Sequence, residues 1–222
     1  MTDLVDQSDA VEWLRAFPDS SVHLCVTDAA YASLEKHRAK GTTTRLKHSK
    51  ASSNDWFQIF PNSRFPELFA EVYRVLQKNA HFYFFCDQET MFFAKPIGEA
   101  AGFRFRKAIV WDKVQIGLGY SYRARHEMIL YFEKGKRRLN DLGVPDVLAC
   151  PRVRNGRPTE KPVELIEVLV EQSSAEGEVV IDPFCGSGAT GMAALRNGRR
   201  FMGCDLDAGA VEFANNRLKE VR

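Results

Sequence analysis

Two stretches of the 222-residue chain hold residue types that could do chemistry. The first is VTDAAYASLEK, residues 26–36. A short apolar strand leads into Asp28, then two small residues, Ala29 and Ala30, then the aromatic Tyr31, which is the setting of a catalytic loop. The second is VVIDPFCGSGATGMAALRNGRRFMGCDLD, residues 179–207. An apolar strand ends at Asp182, a tight turn runs through Phe184, Cys185, Gly186, Ser187 and Gly188, and a helix follows. Gly186 and Gly188 let the backbone bend sharply and approach a ligand without a Cβ in the way. The helix N-terminus behind them offers free N–H groups to a carboxylate or phosphate. A second strand ends in Asp205, where a carboxylate can accept hydrogen bonds from a ribose diol. The turn is neither a GxGxxG dinucleotide fingerprint nor a Walker loop, since no Gly-Lys-Ser/Thr follows it.

These residues need a scaffold. Strand-like runs recur at 22–27, 81–86, 105–111, 127–132, 179–182 and 200–205, and most are apolar almost throughout, as strands buried on both faces are. Between them lie amphipathic stretches at 9–16, 66–76, 89–101, 162–172, 188–196 and 208–219. Such alternation predicts an α/β fold with a mostly parallel sheet and helices on both faces. Two long polar, basic segments break the rhythm, 32–64 and 135–159, and read as surface inserts on a single domain spanning 1–222.

The bulk composition narrows the partners. A hydrophobic content of 45% with 27% charged residues suits a globular protein in water. No apolar run approaches the roughly 20 residues of a membrane span. The acidic N-terminus lacks a signal-peptide pattern, so a cytoplasmic location without membrane contact is expected. Five cysteines without CxxC spacing predict buried free thiols and no metal site. Net charge is only +2, yet Lys36, Arg38, Lys40, Arg45, Lys47 and Lys50 fall in one stretch with two histidines and no acid. Further clusters at Lys134, Lys136, Arg137 and Arg138, and at Arg152, Arg154, Arg157 and Lys161, favour a polyanion such as nucleic acid.

The turn DPFCGSG resembles the S-adenosylmethionine-binding motif D-P-F-x-G-S-G-T-T of the DNA amino-methyltransferases. RPTEKP, residues 157–162, resembles the H-P-T-x-K-P that precedes it in one subgroup. The loop DAAY stands some 150 residues before the glycine turn, and that permuted order resembles the β group of adenine-N6 and cytosine-N4 enzymes. LVDQSDAVEWL, RVLQKNAHFYFFCD, IVWDK and RHEMILYFEKGK resemble further motifs of that group, so the likeness covers nearly the whole chain. It implies a Rossmann-like methyltransferase fold that binds S-adenosylmethionine through Asp182, Phe184, Gly186, Ser187, Gly188 and Asp205. Thr159 and Lys161 would lie near the methionine end. Asp9 would sit near the adenine, though the same position suits a helix N-cap equally well.

Methylating an exocyclic amine is difficult because the nitrogen lone pair is delocalised into the base. The resemblance implies that Asp28 and the Ala29 carbonyl accept hydrogen bonds from the amine while Tyr31 stacks on a flipped base. Asp rather than Ser at 28 leans towards adenine N6 over cytosine N4. The family motif is DPPY, however, and proline at both positions would hold these groups rigidly. DAAY keeps the chemical groups and loses that rigidity, so slow or abolished activity is expected. Double-stranded DNA would meet the 36–50 basic run and Arg123 and Arg125. The insert at 135–155, with Lys136, Arg137 and Arg138, falls where the family has its target-recognition region. Its shortness suggests a brief recognition sequence, relaxed specificity, or help from a second subunit, as in a homodimer. The alternatives are a cytosine-N4 enzyme or an inactive DNA-binding protein on the same domain.

Overall fold

The alternating strands and helices assemble, in the computed structural model, into an eight-stranded sheet; the structure describes residues 5–30, 59–117, 122–154, 156–157 and 159–221. In chain order the elements are β1 (Val5–Gln7), α1 (Ala10–Arg15), β2 (Val22–Thr27), α2 (Phe65–Val75), β3 (Leu76–Cys86), α3 (Gln88–Ala100), β4 (Arg104–Asp112) and β5 (His126–Lys134). Then come β6 (Val147–Ala149), α4 (Val163–Ser173), β7 (Val179–Asp182), α5 (Ala189–Arg196), β8 (Arg200–Asp205) and α6 (Ala208–Lys219). Across the sheet the order is β1-β8-β7-β2-β3-β5-β4-β6. β5 pairs antiparallel with β3 and β4, and every other neighbouring pair is parallel, so only β5 runs against the rest.

Period-two alternation divides the apolar strand residues between two cores. Cys25, Phe82 and Phe84 face α1, α2 and α3, whereas Leu24, Val26, Tyr83 and Phe85 face α4, α5 and α6. Both faces are therefore covered, which is why the strands read as nearly continuous apolar runs. In the aromatic-rich first core Phe69 meets Phe82 and Phe84 edge-on, each at 5.2 Å between centroids. Removing such a buried ring costs about 3–5 kcal/mol.

Two strands, β1 and β6, lie outside the runs expected from sequence, and β3 begins at Leu76 rather than 81. Each new strand has three residues, too few for a period to show. The early part of β3 is irregular: the pairing with β2 shifts register, and Asn79 adopts φ +65°, a conformation asparagine tolerates. Among the described helices none is long and apolar enough to cross a membrane.

The parallel strands bring their C-terminal ends to one edge, and several carboxylates gather there because Asp starts helices well. Asp9, Asp87 and Asp207 accept backbone N–H groups at the N-caps of α1, α3 and α6. Between β2 and β7 the chain turns away on opposite sides, towards β3 and towards β8. Ligands of open α/β sheets bind at such a switch point.

The buried carboxylate of Asp182 fastens that point. Thr27 Oγ1 at the end of β2 donates to it at 2.6 Å, Thr190 Oγ1 on α5 at 2.7 Å, and the Phe184 N–H at 3.0 Å. Burial raises its pKa to about 6 in spite of these three donors. A carboxyl group raised on folding lends stability that is complete below its unfolded value, near 3.8, and is lost as pH rises through about 6. For Asp182 this loss is on the order of 3 kcal/mol. Denaturant titrations of wild type and the isosteric Asp182→Asn across about pH 4 to 7 should show that decline in wild type and its absence in the variant. Parallel stability curves would rule out the assignment.

Candidate functional site

The glycine turn at the end of β7 is shaped by its own backbone. Gly186 has φ +52° and Gly188 φ +78°, conformations that disfavour any side chain. A Cβ at 186 would meet only the Phe184 carbonyl, at 3.9 Å, so the turn is open to close approach there. At 188 a Cβ would press on Ala214 at 3.2 Å, a packing reason for glycine instead. No side chain caps α5, so its first N–H groups face the opening. Asp205 closes the other side: its Oδ2 accepts the Gly186 N–H at 2.9 Å and its Oδ1 the Asp207 N–H at 2.9 Å. Ser187 is buried, and its carbonyl accepts from Arg217 at 3.1 Å. Phe184 packs edge-on against Phe60 at 5.1 Å. Asp182 holds the turn from below, its oxygens taken by protein donors.

Asp9 lies at the same edge and is fully engaged. Its Oδ1 accepts from the N–H groups of Val11 and Glu12, and Arg64 forms a bidentate pair with it at 2.7 and 2.9 Å. The Arg64 hydrogen bonds hold its carboxyl below the usual aspartate range. The helix-cap alternative is thus the observed geometry, with an ion pair added. Arg64 also stands over the Phe60 ring at 5.0 Å, and the Phe60 N–H donates to the Ala30 carbonyl at 2.8 Å. The end of the long basic insert is thereby docked onto the DAAY loop and the glycine turn together.

Asp28 follows β2 directly, beside the turn. Lys161 Nζ pairs with Asp28 Oδ2, lies 3.6 Å from Glu127 Oε2 and donates to the Thr159 carbonyl at 3.5 Å. Thr159 itself has φ +61°, an uncommon conformation for a β-branched residue, and it is held next to this contact. Lys113 pairs with Glu127 Oε1 and lies over the Trp111 ring at 5.2 Å. Phe85 and Trp111 also face Lys161, at 5.6 and 6.0 Å from Nζ. Burial raises the Asp28 pKa, and Lys161 opposes the rise without reversing it. Burial works against the Lys161 ammonium as well, but the two carboxylates outweigh it and raise its pKa. For Glu127, burial is outweighed by Lys161 and Lys113, and its pKa is lowered. Ala29 is fully buried, and among the described residues no donor is bound to its carbonyl.

The structure therefore brings Asp28, Ala29, Thr159, Lys161, Asp182, Phe184, Gly186, Ser187, Gly188 and Asp205 to one crevice. It sets Lys161 against Asp28; the resemblance implies a place for Lys161 near the methionine end of the cofactor. Tyr31, Lys36, Arg38, Lys40, Arg45, Lys47 and Lys50 lie outside the described residues. Arg123 and Arg125 stand at the site end of the sheet. Arg125 is paired with Asp112 at 2.6 and 2.7 Å, and Arg123 Nε donates to the Gly117 carbonyl at 2.7 Å. Lys136, Arg137 and Arg138 belong elsewhere. Because β5 is antiparallel, the chain after Lys134 emerges at the opposite edge, away from Asp28. There the Arg137 N–H donates to Glu133, its carbonyl faces His81, and its guanidinium pairs with Glu178. Phe60, Arg64, Lys113 and Glu127 escaped the sequence reading. Lys113 and Glu127 lie inside the motif-like stretches IVWDK and RHEMILYFEKGK, but only the fold sets them against each other and against Lys161.

A family model described as DNA methylase matches residues 22–156 and 143–216. The proposed methylase YubD of Escherichia coli (strain K12) is 31% identical over 97% of this chain and 90% of its own length. The type II methyltransferase M.HpaI of Haemophilus parainfluenzae is 26% identical over 95% of this chain and 72% of its own. Among solved structures, the M1.HpyAVI–SAM complex superposes with TM-score 0.71 at 20% identity, covering 97% of this chain and 99% of that one. The cytosine-N4-specific PvuII DNA methyltransferase superposes with TM-score 0.71 at 15% identity, covering 98% and 92%. The crevice between β2 and β7 thus lies in a methyltransferase fold, and the chain belongs to the N6/N4 DNA methylase family.

Proposed function

We propose that the protein transfers a methyl group from S-adenosylmethionine to the exocyclic amine of a base in double-stranded DNA, with adenine N6 as target. The observation that carries the reading is Asp28, a half-buried carboxylate at the end of β2, the strand that pairs with β7, whose end carries the glycine turn. The turn fits the cofactor: the space above Gly186 would be filled by a Cβ, the first N–H groups of α5 are uncapped, and Asp205 stands beside them. S-adenosylmethionine, when bound, supplies an electrophilic methyl. Asp205 would hold its ribose hydroxyls, and the backbone at Phe184, Gly186, Ser187 and Gly188 would border it.

The protein's own task is to make the amine nucleophilic. Asp28 and the Ala29 carbonyl accept hydrogen bonds from its two N–H groups, drawing the lone pair out of the ring, and the fixed orientation lowers the barrier further. With its pKa raised by burial, Asp28 is also the group to take up the proton the amine sheds. Tyr31 stacks on the base, and Lys36 to Lys50 together with Arg123 and Arg125 meet phosphates. Asp rather than Ser at 28 supports adenine. The alanines cost rigidity, in part recovered through the Phe60–Ala30 hydrogen bond and the complete burial of Ala29.

Transfer of labelled methyl to unmethylated DNA, with the product base identified, tests this reading. Asp28→Ala should lower the rate by about 10²–10³ while cofactor affinity stays within about twofold. Equal rates for Asp28→Ala and wild type would exclude the assignment. Ala29→Pro combined with Ala30→Pro should raise the rate about tenfold or more by restoring preorganisation. A proline variant no faster than wild type would show that the buried loop needs no prolines. The carboxylate must be ionised to accept protons, so activity should fall with acid at a pH above the ordinary aspartate value. A pH–rate profile flat through that range would argue against Asp28 as the acceptor.

A further inference from the structure

The resting partner of Asp28 is a lysine that itself stands between two carboxylates. Lys161 Nζ contacts Asp28 Oδ2 on one side and lies 3.6 Å from Glu127 Oε2 on the other. An ammonium on Asp28 occupies one acceptor oxygen and neutralises the charge that would draw amine protons. It competes with the substrate on the substrate's own terms, as one N–H donor against another.

We propose that Glu127 is a positioning residue for Asp28: it is the second carboxylate onto which the Lys161 ammonium withdraws when an amine reaches Asp28. The inference rests on reading Asp28 as the amine acceptor. Three features of the cluster support it. Glu127 is held from behind, since Lys113 pairs with Oε1 and leaves Oε2 facing Lys161. The aromatic walls Phe85 and Trp111 keep the ammonium near both carboxylates, at 5.6 and 6.0 Å from the two ring centroids. Asp28, Glu127, Lys161 and Lys113 sum to zero charge, so Lys161 can shift between the carboxylates without altering the charge of a half-buried site. Among the described residues, the other ionisable groups near Asp28 are Asp182 on β7 and Cys86 at the end of β3.

Removing Glu127 would leave Lys161 with Asp28 alone. The negative charge of Glu127 raises the Asp28 pKa and Lys161 lowers it, so the two substitutions have opposite expected signs. The test is a ¹³C-carboxyl NMR titration of Asp28 in the protein without DNA, paired with methyl-transfer rates. Glu127→Gln should move the Asp28 midpoint to lower pH, and Lys161→Met should move it to higher pH. Methyl transfer by Glu127→Gln should fall about tenfold or more, through loss of the free acceptor. Adding Lys161→Met to Glu127→Gln should recover part of that rate, which a merely structural role for Glu127 would not allow. An Asp28 midpoint unmoved by Glu127→Gln, or a double variant no faster than Glu127→Gln, overturns the proposal. Shifted midpoints with no methyl transfer from any variant or from wild type would uphold the coupling and overturn the reading of the reaction instead.

Discussion

A single buried carboxylate joins the two halves of the crevice. Asp182 takes one hydroxyl from the end of β2, one from α5 and one backbone N–H from the glycine turn, so the turn and helix that follow it are tied to a strand more than a hundred residues earlier. It adds a side-chain tie to the backbone pairing of β2 with β7, at the end of the sheet where Asp28 and the glycine turn emerge. Burial makes the charge costly, which is why the group carries a full set of donors and a pKa near 6. The loop after β2 and the turn after β7 are therefore positioned relative to each other by the sheet and by this carboxylate, before any ligand arrives.

Above that anchor the site is a set of opposed, partly buried charges. Asp28, Lys161, Glu127 and Lys113 alternate in sign from the end of β2, through the segment before α4, to the adjoining ends of β5 and β4. Each charge is acceptable in a half-buried place only because its neighbour is there. The same alternation makes the cluster responsive: moving one ammonium changes which carboxylate is free. On the other side Phe60 and Arg64 tie Ala30, Phe184 and Asp9 together.

Much of this scaffold can be read from the sequence, because it is written in local patterns. The apolar runs become central strands, the amphipathic stretches become helices, and the glycines of GSG sit where positive φ is needed. Other features cannot be read locally. β1 and β6 are too short to show a period. The antiparallel course of β5 leaves no mark in an apolar run, yet it decides that Arg125 stands at the site end while Arg137 stands at the far edge. Contacts such as Lys161 with Asp28 and Thr27 with Asp182 join residues more than a hundred positions apart, and only the fold brings them together. Asp9 illustrates a residue with two sequence readings, cap or cofactor contact, where the observed geometry is the cap.

The most direct measurement of the account is a crystal structure of the protein with a methyl-inert cofactor analogue and a DNA duplex containing its target base. The expected result is a flipped base whose exocyclic amine lies about 3 Å from the Asp28 carboxylate and the Ala29 carbonyl, with Lys161 moved towards Glu127. A base bound with its amine away from Asp28, or DNA bound with no base extruded, would contradict it.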